Sequence, residues 1–120
     1  MAHDAQAVGD VSLACVEVGG SGVETVLFGS DGTVLRVAGA VRPANTRLAI
    51  ATPGLIDGVR VIAASSLGWV DVDPAEELGI GPSAEMVLND AEAAAMGEVV
   101  LRGEPTGDAV YVCVGTGVGA

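Results

Sequence analysis

The apolar runs of this chain are short, rich in valine, and repeatedly cut off by glycine. Val11 to Val18 runs into Gly19-Gly20-Ser21-Gly22, Leu48 to Thr52 into Pro53-Gly54, and Ala109 to Val114 into Gly115-Thr116-Gly117-Val118-Gly119. Valine-rich runs with little polar alternation suit strands covered on both faces. The 18 glycines among 120 residues exceed the usual share of about 7%. Half of the residues are apolar, yet there is only one Phe, one Tyr and one Trp. A core built from such small side chains requires most strands to be buried on both faces. The length suits one domain of ordinary size, of the α/β class.

Val11 to Val18, Val23 to Phe28 and Thr33 to Val41 read as three successive strands, an antiparallel meander at the start of a mixed sheet. Ser30-Asp31-Gly32 carries the Asp-Gly signal of a tight turn. Arg42-Pro43-Ala44-Asn45-Thr46 is too short to hold a helix before the fourth strand, Leu48 to Thr52. Ile56-Asp57-Gly58 reads as a turn and Val59 to Ala63 as a strand. Ser65, Ser66 and Trp69 read as a loop, either anchored by the Trp or lining a cleft. Asp73 caps a short helix over Pro74 to Leu78, with Pro74 at its first position. Ala84 to Leu88 is a strand, Ala91 to Leu101 the one main helix, and Gly103 its stop signal.

Charge narrows the function. The chain has 16 acids against five arginines, has no lysine, and carries a net charge of −11. That argues against a nucleic-acid or anionic-membrane surface, which needs a basic patch against phosphates. A bound nucleotide would have to be held by backbone N–H groups and a metal, or by residues from elsewhere. Cys15 and Cys113 lie inside apolar runs and read as buried, reduced core thiols of a cytoplasmic protein. His3 is the only histidine, and no Cys/His cluster has zinc-ligand spacing. The first residues carry neither a basic nor an apolar region of a secretion signal, and no apolar run is long enough to span a bilayer. Residues 1–10 read as a flexible tail.

Three segments could carry chemistry. Gly19, Gly20 and Ser21 let the backbone approach a phosphate and turn N–H groups toward it. They serve equally as a glycine-rich hairpin turn, and they match neither the dinucleotide nor the Gly-Lys-Ser/Thr loop. Gly115, Thr116 and Gly117 repeat the pattern after a second strand. Asn89-Asp90 stands where a strand hands over to a helix, and the helix dipole favours an anion there. Asp90 could accept a proton from a hydroxyl nucleophile or be a helix cap; the two roles are compatible. The small residues Ala93, Ala94, Ala95 and Gly97 read as a close-packing helix face.

Five segments in order resemble the N-terminal lobe of the ROK family of bacterial sugar kinases and repressors. They are Val16-Glu17-Val18-Gly19-Gly20-Ser21, Ala51-Thr52-Pro53-Gly54-Leu55-Ile56-Asp57, Leu67-Gly68-Trp69, Asn89 through Glu98, and Gly115-Thr116-Gly117-Val118-Gly119. The resemblance implies a ribonuclease H-like, actin-like ATPase lobe over residues 11–120. By the same resemblance Asp90 is the base that deprotonates a hexose hydroxyl as it attacks the γ-phosphate of ATP. Gly54, Ser65, Ser66 and Asn89 are the expected sugar contacts. Gly19, Gly20, Ser21, Gly115, Thr116 and Gly117 surround the phosphates and their magnesium, with Glu17 toward the metal. Positioning and charge stabilisation supply most of the catalysis in such a reaction.

Some positions depart from the family pattern. Glu17 replaces an Asp, Glu92 replaces an Asn, and only Val41 to Leu48 fills the place of a helix. The chain stops at Ala120, so the family's second lobe and its zinc motif are expected to be absent. The resulting expectation is a kinase lobe completed by a homo-oligomer or a second-lobe chain. The alternatives are a non-catalytic relic and the sugar-sensing lobe of a repressor.

Overall fold

The computed structural model describes residues 10–102, 113–114 and 118–119. It contains a five-stranded mixed sheet, a three-stranded antiparallel sheet and two helices among those residues. The first sheet comprises β1 (Val11–Gly19), β2 (Gly22–Gly29), β3 (Val34–Ala38), β4 (Arg47–Thr52) and β8 (Met86–Asn89), in the spatial order β3-β2-β1-β4-β8. The second comprises β5 (Leu55–Asp57), β6 (Arg60–Ala64) and β7 (Trp69–Val72). The helices are α1 (Pro74–Glu77) and α2 (Asp90–Arg102); β9 (Cys113–Val114) and β10 (Val118–Gly119) form a separate antiparallel pair.

The expected meander is present. β1 pairs with β2 and β2 with β3, both antiparallel. The Asp-Gly turn closes the second hairpin: Gly32 takes φ +88°, and Asp31 Oδ1 accepts from Thr33 N at 3.0 Å and from Thr33 Oγ1 at 2.6 Å. The two bonds to Thr33, the hydroxyl's foremost, hold the Asp31 carboxyl below its usual range. β4 then runs parallel to β1, and β8 parallel to β4. Their register sets Glu17, Ala51 and Leu88 level with one another across the three strands.

Side chains alternate across the sheet. On one face Ala14, Val16 and Val18 of β1, Leu27 of β2, Leu48 and Ile50 of β4 and Val87 of β8 form the core. Burying a side chain such as Ile50 or Leu48 contributes about 1.5–3 kcal/mol. The second sheet and α1 cover this face, with Ile56, Trp69, Ala75 and Leu78 packed against it. Asp73 caps α1 as expected, its Oδ1 accepting from Ala75 N at 2.9 Å.

The opposite face corrects the expectation of strands buried on both sides. Leu13, Ala49, Ala51 and Leu88 there are half-buried, and Val34 and Met86 are exposed. No helix links β3 to β4. The connection instead turns at Asn45, with φ +59°, and is tied inward by buried Thr25, which accepts from Val41 N at 3.0 Å and donates to Gly39 O at 2.7 Å. Cys15 lies on this open face, so it is half-buried rather than buried. Its thiol pKa is raised, by partial burial first and by the Glu17 charge second. The side chain of Cys113 and the strand expected over residues 109–112 lie outside the described residues.

Three local readings change. Ile56-Asp57-Gly58 is not simply a turn: Ile56 and Asp57 belong to β5 and pair with Val61 and Arg60 of β6, and the turn is Gly58-Val59, with Gly58 at φ +63°. Trp69 belongs to β7 and is an anchor on the core rather than part of a loop. Ser65 and Ser66 form a 3-10 turn with Leu67. Residues 1–9 lie outside the described residues, and the Asp10 carbonyl accepts from Ser30 N at 2.8 Å.

Candidate functional site

Because β1, β4 and β8 are mutually parallel, their carboxyl ends lie along one edge of the sheet. In open α/β sheets ligands bind in the crevice outside that edge. β1 delivers Glu17 and the Gly20-Ser21 turn there, β4 delivers Pro53-Gly54, and β8 delivers Asn89-Asp90. The topology thus gathers three of the sequence-predicted segments at one edge.

Asn89 is the last residue of β8 and caps α2. Its Oδ1 accepts from Ala91 N at 3.0 Å and Glu92 N at 3.3 Å, satisfying N–H groups with no partner inside the helix. Asp90 stands in the first turn, exposed, where the positive end of the helix favours its charge. Its Oδ1 also accepts from Ala91 N, at 2.8 Å. Its Oδ2 takes no hydrogen bond from the described residues. Asn89 therefore carries most of the capping, with two of the helix N–H groups, and Asp90 shares one of them.

Gly54 is crowded. It adopts φ +110°, and a Cβ placed there would lie 2.8 Å from Ala64 Cβ and closer still to the Ala63 carbonyl oxygen. The Gly54 carbonyl accepts from Asn89 Nδ2 at 2.9 Å. Since Gly54 packs on the end of β6, the exposed Ser65-Ser66 turn that follows Ala64 lies beside it. Thr52, fully buried before the turn, donates to the Pro53 carbonyl at 3.1 Å. Sequence reasoning found Gly54 and Asn89 separately but not their bond, which spans 35 residues and has no local signal.

The first glycine loop is a two-residue hairpin turn. Gly19 pairs with Gly22, leaving Gly20 and Ser21 at the tip. A Cβ at Gly20 or Gly22 would meet nothing within 4 Å, so the backbone is open to an approaching anion. Glu17 is exposed, and its cross-strand partner is Glu24. Like charges directly opposite are unfavourable; Glu24 is offset by an ion pair with Arg36. A cation near Glu17 would relieve that side as well. Among the described residues no group of three or more His, Cys, Asp or Glu could hold a metal. One carboxylate plus substrate phosphates is nonetheless a donor set that magnesium accepts. Gly115, Thr116 and Gly117 lie outside the described residues.

A groove of about 490 Å³ lies at the other end of the parallel strands, lined by Arg42, Asn45, Thr46, Arg47 and Glu85. Both of its cations are engaged. Arg42 donates to the carbonyls of Ile80 and Pro82, and Arg47 pairs with Glu85 at 2.8 Å. The exposed Asp90 is at the opposite edge of the sheet.

These features define an α/β domain with its candidate site at the carboxyl edge of a mixed sheet. The family model described as ROK family matches residues 38–120, and the chain belongs to that family. The matched span takes in Gly54, Ser65, Ser66, Asn89, Asp90 and the second glycine loop, whereas Glu17 through Ser21 precede it. No curated protein and no solved structure matches the chain. No helix among the described residues is long and apolar enough to cross a membrane.

Proposed function

We propose that this ROK-family domain is the phosphoryl-transfer lobe of a hexose kinase, with ATP as donor and Asp90 as the base. The observation that carries this reading is the exposed Asp90 carboxylate. Asn89 caps the helix beside it, and it shares the sheet edge with the Gly54 turn and the open Gly20-Ser21 turn. The strand order, with three antiparallel strands followed by two parallel to β1, supports a ribonuclease H-like, actin-like ATPase architecture.

In the proposed reaction a hexose hydroxyl loses its proton to Asp90 as its oxygen bonds to the γ-phosphorus. The bond from that phosphorus to the leaving oxygen of ADP breaks. The Gly54 turn, Ser65 and Ser66 would line the sugar side, and Asn89 has one amide hydrogen left after its bond to Gly54, enough for one hydroxyl. Backbone N–H groups of Gly20 and Ser21 would take phosphate oxygens, as would Gly115 to Gly117. Magnesium, held by those phosphates and Glu17, would neutralise charge on the transferred group. Use of ATP implies a cytoplasmic protein. The open apolar face of the first sheet supports a second copy or second chain packing there.

Incubation of the 120-residue chain with γ-labelled ATP, magnesium and a panel of hexoses tests the reading. Label is expected on at least one hexose, with an equivalent of ADP. Binding of a hexose without any transfer of label would favour the sugar-sensing role of a repressor instead.

A further inference from the structure

We infer that Asn89 is a positioning residue: its side-chain amide bolts the Gly54 turn to the first turn of α2 and thereby fixes where Asp90 stands. The assignment deepens the proposed kinase reading and, in its kinetic part, rests on it.

Both ends of the amide are engaged. Oδ1 accepts from Ala91 N and Glu92 N, and Nδ2 donates to the Gly54 carbonyl. The strand register prepares this, because Asn89 pairs with Thr52 across β4 and β8. The chain after Thr52 has only to turn once, through Pro53, for the Gly54 carbonyl to meet the amide. Gly54 is itself pinned by its contact with Ala63 and Ala64. The chain of contacts therefore runs from β6 through Gly54 and Asn89 to the N-terminus of α2, whose first residue is Asp90. Loss of either end of the Asn89 amide frees one side of the connection. Only a side chain with an acceptor and a donor on one planar group can serve both sides at this length, which Asp, Ser and Thr cannot.

The discriminating variant is Asn89→Asp. It keeps the capping acceptor and loses the donor to Gly54, so α2 should form as before. Amide hydrogen exchange in β5 should quicken by roughly three- to tenfold, the equivalent of one net hydrogen bond, with exchange in α2 unchanged. In transfer assays kcat should fall by about 10- to 100-fold, because small misplacement of a reacting group is costly, and the hexose KM should rise too, because the amide hydrogen offered to the hexose is lost with the donor. Asn89→Ser, which also keeps a cap, should behave the same way and stands in should the Asp variant fold poorly. Unchanged exchange in β5 would overturn the inference, as would a raised hexose KM with kcat intact, the mark of a residue that serves only as a sugar ligand. If the wild-type chain transfers no phosphate, the kinase reading fails separately and the exchange result alone decides the positioning role.

Discussion

Two glycine turns end parallel strands at the same edge of the sheet, and they are opposite in kind. The Gly54 turn is packed shut: its backbone lies against Ala63 and Ala64, its φ is +110°, and its carbonyl is held by Asn89. The Gly20-Ser21 turn stands open, with nothing within 4 Å of a Cβ at Gly20. In the first, glycine is required because no other residue fits. In the second, a side chain would meet nothing. The same sequence pattern, strand then glycine, thus makes a packed joint in one place and an open turn in the other.

That contrast can be broken by substitution. Gly54→Ala should have the largest effect on folding, a loss of about 3 kcal/mol in denaturant unfolding, because strain at positive φ adds to a steric clash. Asn89→Ala removes the cap and the bond to Gly54 together, and should cost about 1–2 kcal/mol by the same measurement. Gly32→Ala provides a reference, with positive φ but no neighbour within 4 Å. It should cost about 1–2 kcal/mol from backbone strain alone, and so fall short of Gly54→Ala. Gly20→Ala should shift unfolding by less than about 0.5 kcal/mol, yet diminish the thermal stabilisation given by magnesium ATP. A Gly20→Ala protein as unstable as Gly54→Ala would erase the distinction between the turns.

Much of this was legible in the sequence because local chemistry decides it. The meander, the Asp-Gly turn, the Asp73 cap and the main helix each follow from a few adjacent residues. β5 and β7 were not legible, since strands of three and four residues carry too few side chains to show alternation. Their existence depends on β6 lying between them. The open sheet face was missed for a related reason: valine-rich runs resemble buried strands whether or not a helix arrives to cover them. At the site, Asp90 and Asn89 were identifiable as a pair, but their division of labour was not. It depends on which side chain accepts from Glu92 N, and on a carbonyl 35 residues away.

The central claim is that Asp90 is a base that Asn89 has largely relieved of capping. Rates of phosphoryl transfer from ATP to hexose, compared between the wild-type chain and Asp90→Asn, test it most directly when unfolding is measured on the same samples. The account predicts a loss of about 10²- to 10⁴-fold in kcat with the unfolding midpoint nearly unchanged, since the Asn89 cap is untouched. Equal rates in the two proteins, or an Asp90→Asn protein that loses activity only because it unfolds, would contradict it.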